Sequence, residues 1–304
     1  MQRFDFWFHA MACNNTITLF ANTRAAAVLA AEDAIAEVRR IEAKYSRYRP
    51  ESIVSTINRQ SGRGVPIEID SETAQMLDFA DSCFVESDGL FDITSGVLRQ
   101  VWDFSASAPP TEAAIATVLP LIGWRRVVRS HGAVMLLDAG MEIDFGGFGK
   151  EYAADRAAAV LLRHGVQHGF VDLGGDVVVT GPQFDQSPWS LGICHPRNEN
   201  QVLATVAIAS GAVATSGDYE RYIDAGGRRY CHILNPITGM SVNGLQCVTA
   251  FAPTCLVAGS ITTIAMLKGE GTAGQSADGW LNRLAAAGVK ALAVGADGVL
   301  VHYP

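Results

Sequence analysis

The chain has 304 residues, 49% apolar and 18% charged, with a formal net charge of −8. That length and composition support a large buried core and exclude a disordered chain, and the acidic balance argues against nucleic-acid binding, which needs a basic surface. None of the six cysteines (Cys13, Cys83, Cys194, Cys231, Cys247, Cys255) stands in a C-x-x-C or metal-type spacing, so they read as reduced, small apolar residues.

Phe4, Phe6 and Phe8 alternate with polar residues and Thr16–Phe20 is rich in β-formers, which predicts an opening strand pair. A strand pattern at the start is not a secretory leader, and no apolar run is long enough to span a membrane. The chain as written is expected in the cytoplasm; a removed leader would place it in the periplasm. Val28, Leu29, Ile35, Val38 and Ile41 fall at helical spacing and predict a helix over Arg24–Tyr45, ended by the polar loop Ser46–Pro50. A second helix is predicted from an N-cap at Ser71 to Glu86, broken by Ser87-Asp88-Gly89.

Further along, the pattern predicts a helix over Thr111–Leu119, a strand pair Val127-Val128 and Val134–Leu137 about Gly132, and a short strand Glu142–Phe145. An alanine-rich helix follows over Tyr152–His164, then strands Phe170–Leu173 and Val177–Thr180 about Gly174-Gly175. The last third predicts strands at Ser190–Cys194, Leu203–Ile208 and Val248–Ala252, helices Thr254–Leu267 and Ser276–Ala287, and a closing strand Ala291–Val294. Helices and strands interleave without regular βαβ alternation. The expected class is therefore α+β, with mixed sheets and packed helices in one intertwined unit over 1–304, with room for a smaller subdomain at about 65–135.

Four segments carry candidate chemistry. Ile143–Lys150 joins strand to helix through Gly146, Gly147 and Gly149; such a turn lets backbone approach a ligand, the helix start favours anions, and Lys150 adds charge, although a plain tight turn fits as well. Val171–Asp176 carries Gly174-Gly175, a bulge or a second close approach. Thr215–Arg221 reads as a turn, and His232–Gly239 follows with Asn-Pro and Thr-Gly turn signals; His232 fits a structural or a catalytic role. In Ser87–Thr94, Asp92 is wedged between apolar residues and needs a backbone N–H, a base edge or a cation as partner, or acts as a cap.

Taken in order, the run from Tyr45 through Ser46-Arg47-Tyr48-Arg49-Pro50 to Asn58, then Gly89–Asp92, Asp144–Asp155, Leu173–Asp176, Ser216–Tyr219 and His232–Gly239 resembles the ApbE family of FAD:protein FMN transferases from about Met11 to about Leu267. The resemblance implies an ApbE-like, T-fold-like architecture. It also implies an enzyme that binds FAD and uses Mg²⁺ to move FMN onto a threonine or serine hydroxyl of a target flavoprotein, with release of AMP. By motif, it places Met11, Tyr48, Leu90, Phe91, Asp92, Asp144, Lys150 and Ile233 at the cofactor, His232 as a base for the target hydroxyl, and Thr263 and the Gly147 carbonyl at the metal.

The family's Ala-Asp-x-x-x-Thr segment reads Ala258-Gly259-Ser260-Ile261-Thr262-Thr263 here, so the metal-binding aspartate is Gly259. Magnesium usually keeps one or two carboxylates; Asp176 and Glu151 are the candidates to compensate. Ala12-Cys13 replaces Gly-Thr after Met11, and Asn235 replaces the usual Asp before Pro236. The departure at 259 leaves two other expectations: an FAD-binding protein of the same fold with weak or no transferase activity, and an FAD pyrophosphatase.

Overall fold

The computed structural model describes residues 1–269 and 276–304. In chain order, β1 (Gln2–Ala10) and β2 (Cys13–Ala21) form a hairpin followed by α1 (Arg24–Tyr45), α2 (Ile53–Arg59), β3 (Ile67–Glu68) and α3 (Ser71–Glu86). A 3-10 helix (Ile93–Gln100), α4 (Glu112–Val118), β4 (Val127–Ser130) and β5 (Ala133–Leu136) lead to α5 (Gly149–Arg163). Then come β6 (Gly169–Leu173), β7 (Asp176–Gly181), β8 (Trp189–His195), β9 (Asn198–Ile208), β10 (Gly211–Gly217), β11 (Tyr222–Ala225), β12 (Arg228–Cys231) and β13 (Leu245–Ala252). The chain closes with α6 (Cys255–Lys268), α7 (Ala277–Ala286), β14 (Lys290–Gly295) and β15 (Leu300–Tyr303).

The expected α+β class holds. An eight-stranded antiparallel sheet runs in the order β1-β2-β6-β7-β10-β13-β14-β15. Strand alternation sends Leu19, Val171, Val178, Ala214 and Ala250 to one face, against a helical layer of α1, α5 and α6. Val177, Val179, Val213 and Phe170 point the other way and are covered by Trp189 and Ile208 of the β8–β9 ribbon. The helices pack closely because their contact stripes are small: α1 buries Ala27, Ala30, Ala31 and Ala34, and α5 buries Ala153, Ala154, Ala157 and Ala158. A separate cluster of Val97, Leu98, Trp102, Ile115, Val118 and Ile223 sits under the 3-10 helix and α4.

Several expectations change. The cap of α3 is Asp70, not Ser71: its Oδ1 accepts the Thr73 N–H at 2.9 Å, a stronger acceptor one residue earlier. Glu142–Phe145 is not a strand. The Asn58 amide takes the place of a neighbouring strand there, accepting from the Ile143 N–H at 2.8 Å and donating to its carbonyl at 3.0 Å. Thr215–Gly217 is no turn but the end of β10, paired with β13 from Ala212↔Ala252 to Gly217↔Cys247; the Thr215 and Thr249 hydroxyls satisfy each other at 2.8 Å. The α5 helix begins at Gly149, three residues before the expected Tyr152.

Glu72 ties three helices together. Its carboxylate accepts from Arg40 at 2.6 Å and Lys44 at 2.6 Å on α1, and from the Tyr152 hydroxyl at 2.8 Å on α5. The Arg40 hydrogen bond, with help from Lys44 and Tyr152, holds its carboxyl down from 4.5 to about 2. A depressed acid contributes stability above its unfolded value and loses it as pH falls through the folded one. Glu72→Gln is therefore expected to cost about 1 kcal/mol at neutral pH, after allowance for solvent screening. Urea titrations should show the gap from the parent closing between pH 4.5 and about 2.

Candidate functional site

The sheet order places two turns side by side. β2 pairs with β6, so the β1–β2 turn (Met11-Ala12) abuts the β6–β7 turn (Gly174-Gly175). Met11 and Ala12 both take left-handed backbone, φ 56° and 59°, which costs roughly 1–2 kcal/mol per non-glycine residue. The Met11 N–H donates to Glu42 Oε1 at 2.6 Å, anchoring this turn to α1. Gly174 and Gly175 sit at φ 60° and 94°, and a β-carbon on Gly174 would meet Cys13 Sγ at 3.0 Å, so the turns touch because glycine is there.

Lys150, in the first turn of α5, reaches into this corner. Its ammonium pairs with Asp176 and donates to the Leu173 carbonyl at 3.2 Å. Asp176, 2% exposed, also accepts the Thr215 N–H at 3.1 Å. The next residue, Glu151, is 8% exposed, and its Oε2 has no hydrogen-bond partner. Burial, and then the negative charge of Asp176, push its carboxyl well above the usual range. Gly259 on α6 faces it. One helical turn further on lies Thr263, whose hydroxyl is 3.2 Å from Ser216 Oγ; Ser216 also bonds Thr262 at 2.8 Å.

The glycine turn leads away from this cluster towards an aromatic platform. Gly146 and Gly147 are exposed, and Asp144 Oδ1 accepts the Gly146 N–H at 3.0 Å. Asp144 is ion-paired with Arg47. Arg47 lies over the Tyr48 ring at 5.0 Å and donates to its hydroxyl at 2.8 Å, while the ring stays 74% exposed. Phe91 is buried beneath the glycine turn, where a β-carbon on Gly147 would meet its ring at 3.0 Å. Leu90 is half-buried against the same core.

The remaining sequence candidates fall around these two poles. Asp92 spends both oxygens on the protein: Oδ1 on the Thr94 N–H and hydroxyl at 2.8 and 2.6 Å, and Oδ2 on the Trp124 N–H at 3.0 Å. Ile233 is buried, and His232 beside it is open to solvent yet ringed by protein. That enclosure, then the positive charges of Arg221 and Lys150, hold the His232 imidazole below its ordinary pKa, so it is neutral at pH 7. Asn235 serves as turn acceptor, taking the Ile237 N–H at 2.8 Å and the Thr238 N–H at 3.2 Å. An aspartate oxygen could accept both in the same way. The sequence assigns no role to Arg47 or Ser216, although each lies inside a motif that carries the family resemblance, Ser46–Pro50 and Ser216–Tyr219.

A family model matches residues 11–298, and its description is the ApbE family. The chain belongs to the ApbE family. Among curated ApbE-family relatives, a FAD:protein FMN transferase of Treponema pallidum is 28% identical over 83% of this chain and 75% of its own length. One from Klebsiella pneumoniae is 31% identical over 75% of this chain and 72% of its own. The crystal structure of the ApbE protein of Thermotoga maritima matches with a TM-score of 0.89 at 31% identity, over 99% of this chain and 97% of that one. The chain thus has the ApbE fold, as the sequence resemblance implied.

Two surface concavities of ≈ 310 and ≈ 290 Å³ lie elsewhere, around Glu72 and Arg156 and around Phe84 and Trp124. Each is open and shallow, and the charged groups of the first already pair with one another, so the converging ApbE motifs mark the site better than cavity size does. Among the described residues no three His, Cys, Asp or Glu side chains gather to hold a metal, and no helix is long and apolar enough to cross a membrane. The oxygens near Gly259 are hard donors of a different mix, one carboxylate with hydroxyls, which suits Mg²⁺ rather than a transition metal.

Proposed function

We propose that this protein moves FMN from FAD to a threonine or serine hydroxyl of a target flavoprotein, with release of AMP. The observation that carries the reading is that the Tyr48–Arg47–Asp144 platform and the Lys150–Glu151–Thr263 cluster flank one exposed glycine turn. Membership of a family whose curated relatives carry this activity supports it.

In this reading the flavin ring stacks on the exposed face of Tyr48, which Arg47 holds in place. Leu90, Phe91 and Ile233 supply apolar support, Asp92 fixes the segment behind them, and Met11 presents its turn to the cofactor. The diphosphate lies along Gly146 and Gly147 at the positive start of α5, with Lys150 adding charge. His232, neutral at pH 7, takes the proton of the attacking hydroxyl. The bond between the hydroxyl oxygen and the FMN phosphorus forms as the pyrophosphate bond breaks, and AMP leaves with the bonding electrons. Bound Mg²⁺ would neutralise the pyrophosphate charge; Thr263 and the Gly147 carbonyl would hold it together with a carboxylate that this chain must find outside position 259.

The test is direct. The protein is incubated with FAD, Mg²⁺ and a threonine-bearing target domain, and the target is weighed by intact mass spectrometry. A gain equal to FMN is expected. AMP release with an unlabelled target would make the protein a pyrophosphatase, and bound flavin with neither product would make it a carrier.

A further inference from the structure

Gly259 lacks a side chain, but the space beside it is not empty. A β-carbon built on Gly259 would lie 2.5 Å from Glu151 Cγ and 2.9 Å from Glu151 Oε1. The Glu151 side chain already fills the volume into which a residue at 259 would project. Its carboxylate therefore lies on the same α6 face as Thr263, one turn on, with the Ser216 hydroxyl 3.2 Å from that of Thr263.

The local charge count points the same way. Two buried carboxylates, Glu151 and Asp176, share the corner with the Lys150 ammonium. Lys150 is committed to Asp176 and the Leu173 carbonyl, and Asp176 gives its other oxygen to the Thr215 N–H. Glu151 is left over, 8% exposed, with Oε2 unpartnered. A buried polar oxygen without a partner is costly, and native proteins rarely leave one without a reason. A cation bound between Glu151 and the Thr263 hydroxyl would satisfy that oxygen and balance the corner.

We infer that Glu151 is the metal-binding carboxylate of this chain: the ligand has moved from α6 to the first turn of α5, and Gly259 is bare so that it fits. Asp176, held by two protein donors, is a positioning residue that fixes Lys150. The inference rests on the flavin-transfer reading for the identity of the ion, Mg²⁺.

Mn²⁺, a spin-active substitute for Mg²⁺, tests it. Binding to the full chain in the presence of FAD is followed by the loss of the free Mn²⁺ electron paramagnetic resonance signal. Glu151→Gln keeps the shape and removes the charge; it is expected to weaken Mn²⁺ binding by at least about tenfold. The swap Glu151→Ala with Gly259→Asp returns a carboxylate to the same space from α6 and is expected to recover binding to within about tenfold of the parent. The inference is overturned if the parent chain binds no Mn²⁺, if Glu151→Gln binds it unchanged, or if Asp176→Asn abolishes binding that Glu151→Gln leaves intact. FMN transfer is scored separately. A parent chain that binds Mn²⁺ through Glu151 but labels no target sinks the transferase reading and leaves this one standing.

Discussion

Gly259→Asp alone, which restores the residue most expected at that position, should damage the protein. Replacing glycine inside a helix gains a few tenths of a kcal/mol. Against this stands a new β-carbon 2.5 Å from Glu151 Cγ, in a site where Glu151 is already buried. The new carboxylate would join Glu151 and Asp176 around a single ammonium, that of Lys150. Displacing a packed side chain costs about 1–3 kcal/mol, and an unpaired buried charge costs more. The expected loss is about 3 kcal/mol in urea denaturation without metal, about ten times the helical gain. Pairing the change with Glu151→Ala should recover most of that loss, because the volume and one negative charge are removed together. If Gly259→Asp alone is as stable as the parent and binds Mn²⁺ more tightly, Glu151 does not occupy that space in solution.

Only part of this arrangement is legible in the chain alone. Position 259 announces a missing carboxylate because it breaks a motif, and the sequence offers Asp176 and Glu151 as replacements, but nothing in the chain chooses between them. Only the packing of α5 against α6 brings Glu151 and Gly259 together. Local signals were read well where one element decides its own fate. Arg24–Tyr45 is helical over the span its periodicity predicts, and Thr254 caps α6 through the Val257 N–H. They failed where a distant partner decides. Ile143 looks like strand because it is apolar and extended, yet its backbone partner is the side chain of Asn58. Thr215, Ser216 and Gly217 look like a turn because they are small and polar. In the fold they form an inner strand, since Thr249 and Thr262 supply hydroxyls that a sequence window cannot see.

Lys150→Met should be the other severe change, and it separates a structural from a merely ligand-binding lysine. The ammonium is the partner of Asp176, 2% exposed, and lies beside Glu151. Lys150 is only half-buried, but removing its ammonium leaves the buried Asp176 carboxylate uncompensated, which is expected to cost about 3 kcal/mol, the lower end of the range for a buried pair. A lysine that served only to attract phosphate would instead leave the denaturation midpoint unchanged and weaken FAD binding alone. The double variant Lys150→Met with Asp176→Asn removes both charges and should recover at least about 1 kcal/mol of the loss, the coupling expected of a contacting pair. Mg²⁺ offers an independent handle. If Glu151 binds the ion, Mg²⁺ brings positive charge to the carboxylates that Lys150→Met has stranded. Its stabilising effect should then be larger in that variant than in the parent, provided the site still assembles. An equal effect in both chains would mean that the ion and the ammonium do not share a field, and that Lys150 and the metal site are energetically separate.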